Sequence, residues 1–326
     1  MPLSVSARAS IIAVAGCGAV IALVWYQGAS HVFAALAVAG WRLWLVPLFH
    51  LVPLCIYGLA WQAVLIRLWS SSLRVFQRAA WLREAGNTLL PLPQIGGEVL
   101  GARLLAFAGA APSLAVGSIV VDLTLVVASQ CALTLLAIVL LIGSGHFDGP
   151  VRGLVLAIIL CLPFVFGFYL AQRHGLFAYV ERRLEQAAAK RPDWGLTRLA
   201  GMHEVIQTLY SNRKSVCLSV SLHLVSWLLT SAEVWLALRL MGFAVTLGQA
   251  IVIYGLGTAV RSVAVLIPAG LGAQEVSFMF LAGLYGFPPT AGLAVSLAIR
   301  FREIVIGGPA LLCWSLLESR RALDRP

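Results

Sequence analysis

The sequence is short of charge. Asp, Glu, Lys and Arg make up 11% of its 326 residues, against 60% in the apolar set, and mean hydropathy is +0.93. A soluble domain carries about 25% charged and about 45–50% apolar residues. Too little polar surface is present to cover a water-soluble globule, so a soluble enzyme, a disordered tail and a coiled coil are excluded. The composition is that of a polytopic membrane protein. Lysine is nearly missing as well: of 23 basic residues only Lys190 and Lys214 are lysine. Acids number 13, which leaves a net charge of +10. In a soluble chain that excess would suggest nucleic acid. In an apolar one it fits basic loops on the cytoplasmic side, facing anionic lipid, and no nucleic-acid partner is expected.

The usual marks of metal and nucleotide chemistry are missing too. Cys17, Cys55, Cys131, Cys161, Cys217 and Cys313 form no CxxC, and each sits in an apolar run, so they read as small hydrophobes. The histidines (His31, His50, His146, His174, His203 and His223) include no HxxxH pair. There is no P-loop and no GxSxG elbow, and Gly255-Leu256-Gly257 lacks the strand context of a dinucleotide fingerprint. No metal, cofactor, ATP drive or enzymatic activity is expected; a membrane-embedded lipid transferase with Glu98 or Asp122 as base is the weakest reading. Val14-Ala15-Gly16-Cys17 looks like a lipoprotein box, but too few apolar residues precede it, so a retained first span is expected.

What the chain does have is long apolar runs. A spanning helix needs about 20 such residues, and candidates run from Ser10 to Tyr26, Leu43 to Ile66, Val116 to Ile142, Val151 to Leu170, Val216 to Leu240 and Ala291 to Leu317. Arg67, Arg74, Arg78 and Arg83 mark a cytoplasmic stretch after the second, and Arg320, Arg321 and Arg325 a cytoplasmic tail. The basic segment 172–214 is the largest polar stretch, with Phe177, Val180 and Leu184 at helical spacing along the interface. Both termini are then cytoplasmic. Two apolar stretches, about 86–112 and 246–289, are interrupted by Pro91, Pro93, Gly96, Gly97, Gly101 and Pro112, and by Pro268, Gly270 and Gly272. Broken backbone at membrane depth survives only where protein or a wet cavity satisfies it. The expectation is an all-α membrane bundle in a single integral domain, 1–326, with about six full spans. Two broken hairpins, re-entrant or paired short spans, complete it.

The two breaks read Leu92-Pro93-Gln94-Ile95-Gly96-Gly97-Glu98 and Ile267-Pro268-Ala269-Gly270-Leu271-Gly272-Ala273-Gln274-Glu275. Each is an apolar residue, a proline, two glycines and a glutamate. With one hairpin entering from the cytoplasm and the other from outside, an inverted repeat with a midplane site is one reading. Charges concentrate near these breaks. Each costs at least about 2.5–3.5 kcal/mol at the bilayer centre, so it must pair, face water or bind something. Arg300 and Glu303 stand i, i+3 and suit a structural pair, and Arg239 can snorkel. Glu98, Arg103, Arg261 and Glu275 adjoin the breaks and suit function. Asp122 stands between the two readings. Glu233 has no local partner and is read as a protonated, hydrogen-bonded acid.

At these residues a resemblance appears. Trp81-Leu82-Arg83-Glu84-Ala85-Gly86-Asn87-Thr88-Leu89-Leu90-Pro91, Gly96-Gly97-Glu98-Val99-Leu100-Gly101-Ala102-Arg103 and Val120-Val121-Asp122-Leu123-Thr124 resemble the family of the lysylphosphatidylglycerol synthase transmembrane region. Thr258-Ala259-Val260-Arg261-Ser262, the second break and Arg302-Glu303 resemble its C-terminal signature, and the hopanoid-biosynthesis-associated branch looks nearest. Position 88 departs from the pattern, with threonine where a second asparagine would stand. The resemblance implies a flippase-like protein of the bacterial inner membrane whose partner is a membrane lipid, a hopanoid or a phospholipid. Aminoacyl transfer is not expected. The headgroup-binding candidates are Asn87, Glu98, Arg103, Asp122, Arg261 and Glu275, with Pro91, Gly97, Pro268, Gly270, Gly272, Arg302 and Glu303 as secondary ones. The alternative is a non-transporting scaffold for lipid-biosynthesis proteins, docking them on the 172–214 loop.

Overall fold

The computed structural model describes residues 25, 29–90, 96–145, 149–173, 179, 201–263 and 272–323, and these contain helices and no strand. They form α1 (Ala29–Ala39), a 3-10 turn (Gly40–Trp44), α2 (Leu45–Leu65), α3 (Leu73–Leu89), α4 (Gly96–Phe107), α5 (Pro112–Gly143) and α6 (Pro150–Arg173). After them come α7 (Met202–Ser211), α8 (Arg213–Leu240), α9 (Leu247–Val263), α10 (Ala273–Leu284) and α11 (Pro289–Leu323). The stretches Phe33–Leu65, Pro112–Gly143 and Arg213–Leu240 are long and apolar enough to cross a membrane. The expected first span, Trp25 aside, lies outside the described residues, as do Phe177, Val180, Leu184 and most of the basic loop.

The chain builds one four-helix unit twice. In each, a long helix (α2, α8) is followed by a 17-residue arm (α3, α9), a 12-residue arm (α4, α10) and another long helix (α5, α11). The packing maps onto itself under this exchange. α3 lies on α11 as α9 lies on α5, each hairpin closes on itself, and α2 meets α8 at the centre. His50 meets Glu233, Pro53 meets Ser226 and Tyr57 meets His223, so ascending numbers on α2 face descending numbers on α8. The two central helices are antiparallel, and the repeat is inverted.

Local chemistry explains the matched lengths. α4 ends at Gly109 (φ +98°), with Ala110 N–H donating to the Leu105 carbonyl and Gly109 N–H to that of Ala106. α10 ends the same way at Gly286 (φ +76°), with Phe287 N–H on Ala282 and Gly286 N–H on Gly283. This is the Schellman stop, in which a left-handed glycine closes the last carbonyls. Three residues on, Pro112 and Pro289 open the next helices, where a missing N–H costs nothing. At 1.5 Å per residue the 12-residue arms are about 18 Å long, short of a hydrocarbon core of about 30 Å.

The first hairpin starts earlier than the Pro/Gly content suggests, at Leu73. Within it Arg74 and Arg78 are exposed, but Arg83 is 1% exposed and belongs to the interior, not to the basic loop where positive charge had placed it. Phe76, Ala79 and Ala80 are buried on the same face. Close arm packing is possible because a Cβ on Gly97 would come within 1.9 Å of the Arg83 carbonyl oxygen.

Candidate functional site

Two ionic networks meet across the middle of the bundle. The first centres on Arg83 of α3, whose guanidinium lies 4.8 Å from the Trp61 ring centroid and 5.2 Å from that of Tyr57. Its Nε is 2.7 Å from Glu98 Oε2 on α4, and its Nη1 donates to Asp122 Oδ2 on α5 at 2.5 Å. The other Asp122 oxygen faces His223 Nε2 of α8 at 3.0 Å. Asn87 joins the arms by donating to Glu98 Oε1 (3.2 Å) and accepting from Gly97 N–H (2.9 Å). Thr88 donates to the Glu84 carbonyl within its own helix. Arg83 thus holds two carboxylates where an unpaired charge would be very costly.

The second network is larger. Glu275, the third residue of α10, accepts from Gly272 N–H at 2.7 Å and so caps its own helix, where Gly272 has φ +85°. Its other oxygen accepts from Arg300 Nε (3.1 Å) and the Ser296 hydroxyl (3.2 Å). Glu303 gathers Arg300 Nη1 (3.0 Å), Arg261 Nη1 (3.2 Å) and Arg302 Nη2 (3.6 Å). Arg261 also donates to Gln274 at 2.8 Å. Beyond them, His50 of α2 has Glu84 Oε1 2.9 Å from Nε2 and Glu233 Oε2 2.6 Å from Nδ1. Arg302 Nη1 lies 2.5 Å from that same Nδ1.

A cavity of about 740 Å³, within the range of small-molecule sites, is lined by residues of both networks. Asn87, Glu98, Arg261, Arg302 and Glu303 line it, as do His50, Arg83 and His223, while Leu123, Val127 and Val263 give it apolar wall. Taken together, six carboxylates (Glu84, Glu98, Asp122, Glu233, Glu275 and Glu303) face four arginines (Arg83, Arg261, Arg300 and Arg302). Carboxylates therefore outnumber arginines by two. Of the wall's polar atoms, Arg83 Nη2, Arg302 Nε and His223 Nδ1 have no hydrogen-bond partner among the described residues.

The expected site residues divide. Asn87, Glu98 and Arg261 share the cavity with Arg302 and Glu303. Asp122 stands one layer behind, fully buried and reaching the wall through Arg83 and His223. Glu275 is also fully buried, occupied by its helix cap and by Arg300. Arg103 points away: it pairs with Glu318, half exposed, beside the stacked Phe107 and Trp314 rings. Gly97 and Gly272 serve the backbone, as a close arm contact and a helix cap. Pro91, Pro268 and Gly270 lie outside the described residues. Glu233 has partners after all, His50 and Arg302, far from it in sequence.

Sequence reasoning missed Arg83, His50, Glu84 and His223. The first was legible: Phe76, Ala79, Ala80 and Arg83 follow helical spacing and place the arginine on the apolar face. The histidines gave no such signal, because each is a lone imidazole on an apolar helix with distant partners. The family model described as lysylphosphatidylglycerol synthase TM region matches residues 11–308. No curated protein and no solved structure matches the chain.

Proposed function

The chain belongs to the lysylphosphatidylglycerol synthase TM-region family, a membrane protein with a lipid-related role; from that premise we propose that it moves a membrane lipid between leaflets, holding the headgroup in the cavity between the hairpins. The carrying observation is the make-up of that cavity: its lining combines acidic and basic side chains from both repeats with apolar residues such as Leu123, Val127 and Val263. A headgroup finds hydrogen-bonding and charged partners there, while its tails keep to apolar surface. Glu98, Asn87 and Arg261 are the headgroup contacts, with Arg302 and Glu303 beside them. Asp122 and Glu275 hold the wall from behind.

The lipid is a hopanoid or a phospholipid, and the setting is the bacterial inner membrane with both termini cytoplasmic. Basic residues at 67–78, 172–214 and 320–325 support that orientation. The inverted repeat supplies a means of alternating exposure, one unit rocking against the other around a fixed site. The scaffold alternative needs no polar cavity at the centre of the fold and is the weaker reading. Reconstitution in vesicles with headgroup-labelled phospholipids, and separately with a labelled hopanoid, tests the proposal. Faster movement of one of them than in protein-free vesicles, lost in Glu98→Gln, is the expected result. Protein-free rates for every lipid offered would defeat it.

A further inference from the structure

His50 is placed where four helices converge. Its Nε2 faces Glu84 of α3 at 2.9 Å. Its Nδ1 faces Glu233 Oε2 of α8 at 2.6 Å, which only accepts, while Arg302 Nη1 of α11, which only donates, lies 2.5 Å from Nδ1 and 3.1 Å from Nε2. A ring nitrogen carrying a proton donates to the carboxylate; a bare one accepts from the guanidinium. The imidazole therefore has two arrangements, and a single proton on Nδ1 selects between them. With that proton and one on Nε2, the ring bridges Glu84 and Glu233 and ties α3 to α8. Without it, the Nδ1 bond passes to Arg302, and Glu233 loses that donor.

The setting makes this proton exchangeable. His50 lines the cavity, so water entering there can deliver or remove the proton. The charged groups facing it are Glu84 from α3, Glu233 from α8 and Arg302 from α11, with Glu303 of α11, Arg261 of α9 and Tyr254 of α9 beyond. The networks carry two more carboxylates than arginines, so a proton gained or lost here changes the charge of the wall that meets the headgroup. Arg302 and Glu84 also sit in opposite repeats, so the switch spans the parts that must move past each other.

We propose that His50 is the binding site of a proton transported with the lipid, its Nδ1 turning between Glu233 and Arg302 as the proton arrives and leaves. This rests on the transport reading above. In each cycle the proton comes from water on one side, forms the Nδ1–H bond and is returned to water on the other; nothing is consumed.

The test uses the full chain in vesicles with a labelled lipid, a trapped pH-sensitive dye and an imposed gradient of one pH unit. One proton per lipid shifts the steady-state leaflet ratio by up to about tenfold, because one pH unit is a factor of ten in the proton's contribution. Wild type is expected to show that shift together with a change in internal pH. His50→Gln, folded by its elution profile, is expected to return the ratio to unity. Should that variant not fold, Glu84→Gln removes the negative charge that Nε2 faces and is expected to reduce the shift. Lipid movement with a ratio of unity under the gradient overturns the proton site and leaves the transport reading standing, and so does an unchanged shift in His50→Gln or Glu84→Gln. No lipid movement in wild type overturns both.

Discussion

The two hairpins share arm lengths, their terminating glycine and a glutamate as third residue of the second arm, yet they use that glutamate differently. In the first, Glu98 lies on the cavity wall, held by Arg83 and Asn87 of its own hairpin. In the second, Glu275 is withdrawn from the cavity, caps α10 and binds Arg300 and Ser296 of α11, and the hairpin presents Arg261 to the cavity instead. A repeated motif therefore preserves backbone geometry while its charged residue is reassigned. In the first unit the acid pairs with an interior arginine of the neighbouring arm and stays on the cavity wall. In the second the arginine lies on the following long helix and draws the acid away.

The largest effect is expected where the first hairpin has no substitute. Arg83→Ala leaves Glu98 and Asp122 buried without their cation, and removing one partner of a buried pair costs about 3–5 kcal/mol. Thermal unfolding in detergent should show a large fall in Tm or no folded protein. A Tm within a few degrees of wild type would show that the first network is not what closes that hairpin.

Next comes the close contact between the arms. In Gly97→Ala the new Cβ meets the Arg83 carbonyl, which is backbone, whereas in Gly257→Ala it would lie 2.4 Å from the Phe278 ring, which can tilt. Overpacking costs about 1–3 kcal/mol, so both variants should lose stability, Gly97→Ala more. Equal losses would blur the distinction between a rigid first hairpin and a yielding second one.

The acids themselves sharpen the comparison. Glu275→Gln removes one of the two charges that hold Arg300 and should lower Tm by a few degrees with a partial loss of lipid movement. Glu98→Gln should lower Tm less and abolish movement. A reversal of these two would break the assignment of Glu98 to the cavity and Glu275 to structure. The smallest effect belongs to Arg103→Ala. Its pair with Glu318 is half exposed, and such pairs contribute at most about 1 kcal/mol. Both Tm and lipid movement should stay near wild type.

Much of this architecture was legible in the sequence because it is written locally. Apolar run lengths gave the long helices, and the Pro/Gly breaks gave the hairpins. The repeat had a further signal that went unread: Gly109-Ala110-Ala111-Pro112 and Gly286-Phe287-Pro288-Pro289 are the same stop-and-restart device at matching points. The site was half legible. Asn87, Glu98 and Arg261 stand close to breaks, and that proximity found them. It also chose Arg103, which lies on the same short helix as Glu98 but on its outer face. His50, Glu84 and Glu233 come together only through packing of α2, α3 and α8, and no local spacing encodes that.

The central claim is that a lipid headgroup occupies the cavity between the hairpins. Mass spectrometry of lipids co-purifying with wild type, Glu98→Gln and Arg103→Ala tests it most directly. One lipid class enriched over the bulk membrane in wild type and Arg103→Ala, and lost in Glu98→Gln, is the predicted result. A bulk-like profile in wild type, or an enrichment that survives Glu98→Gln, would contradict it.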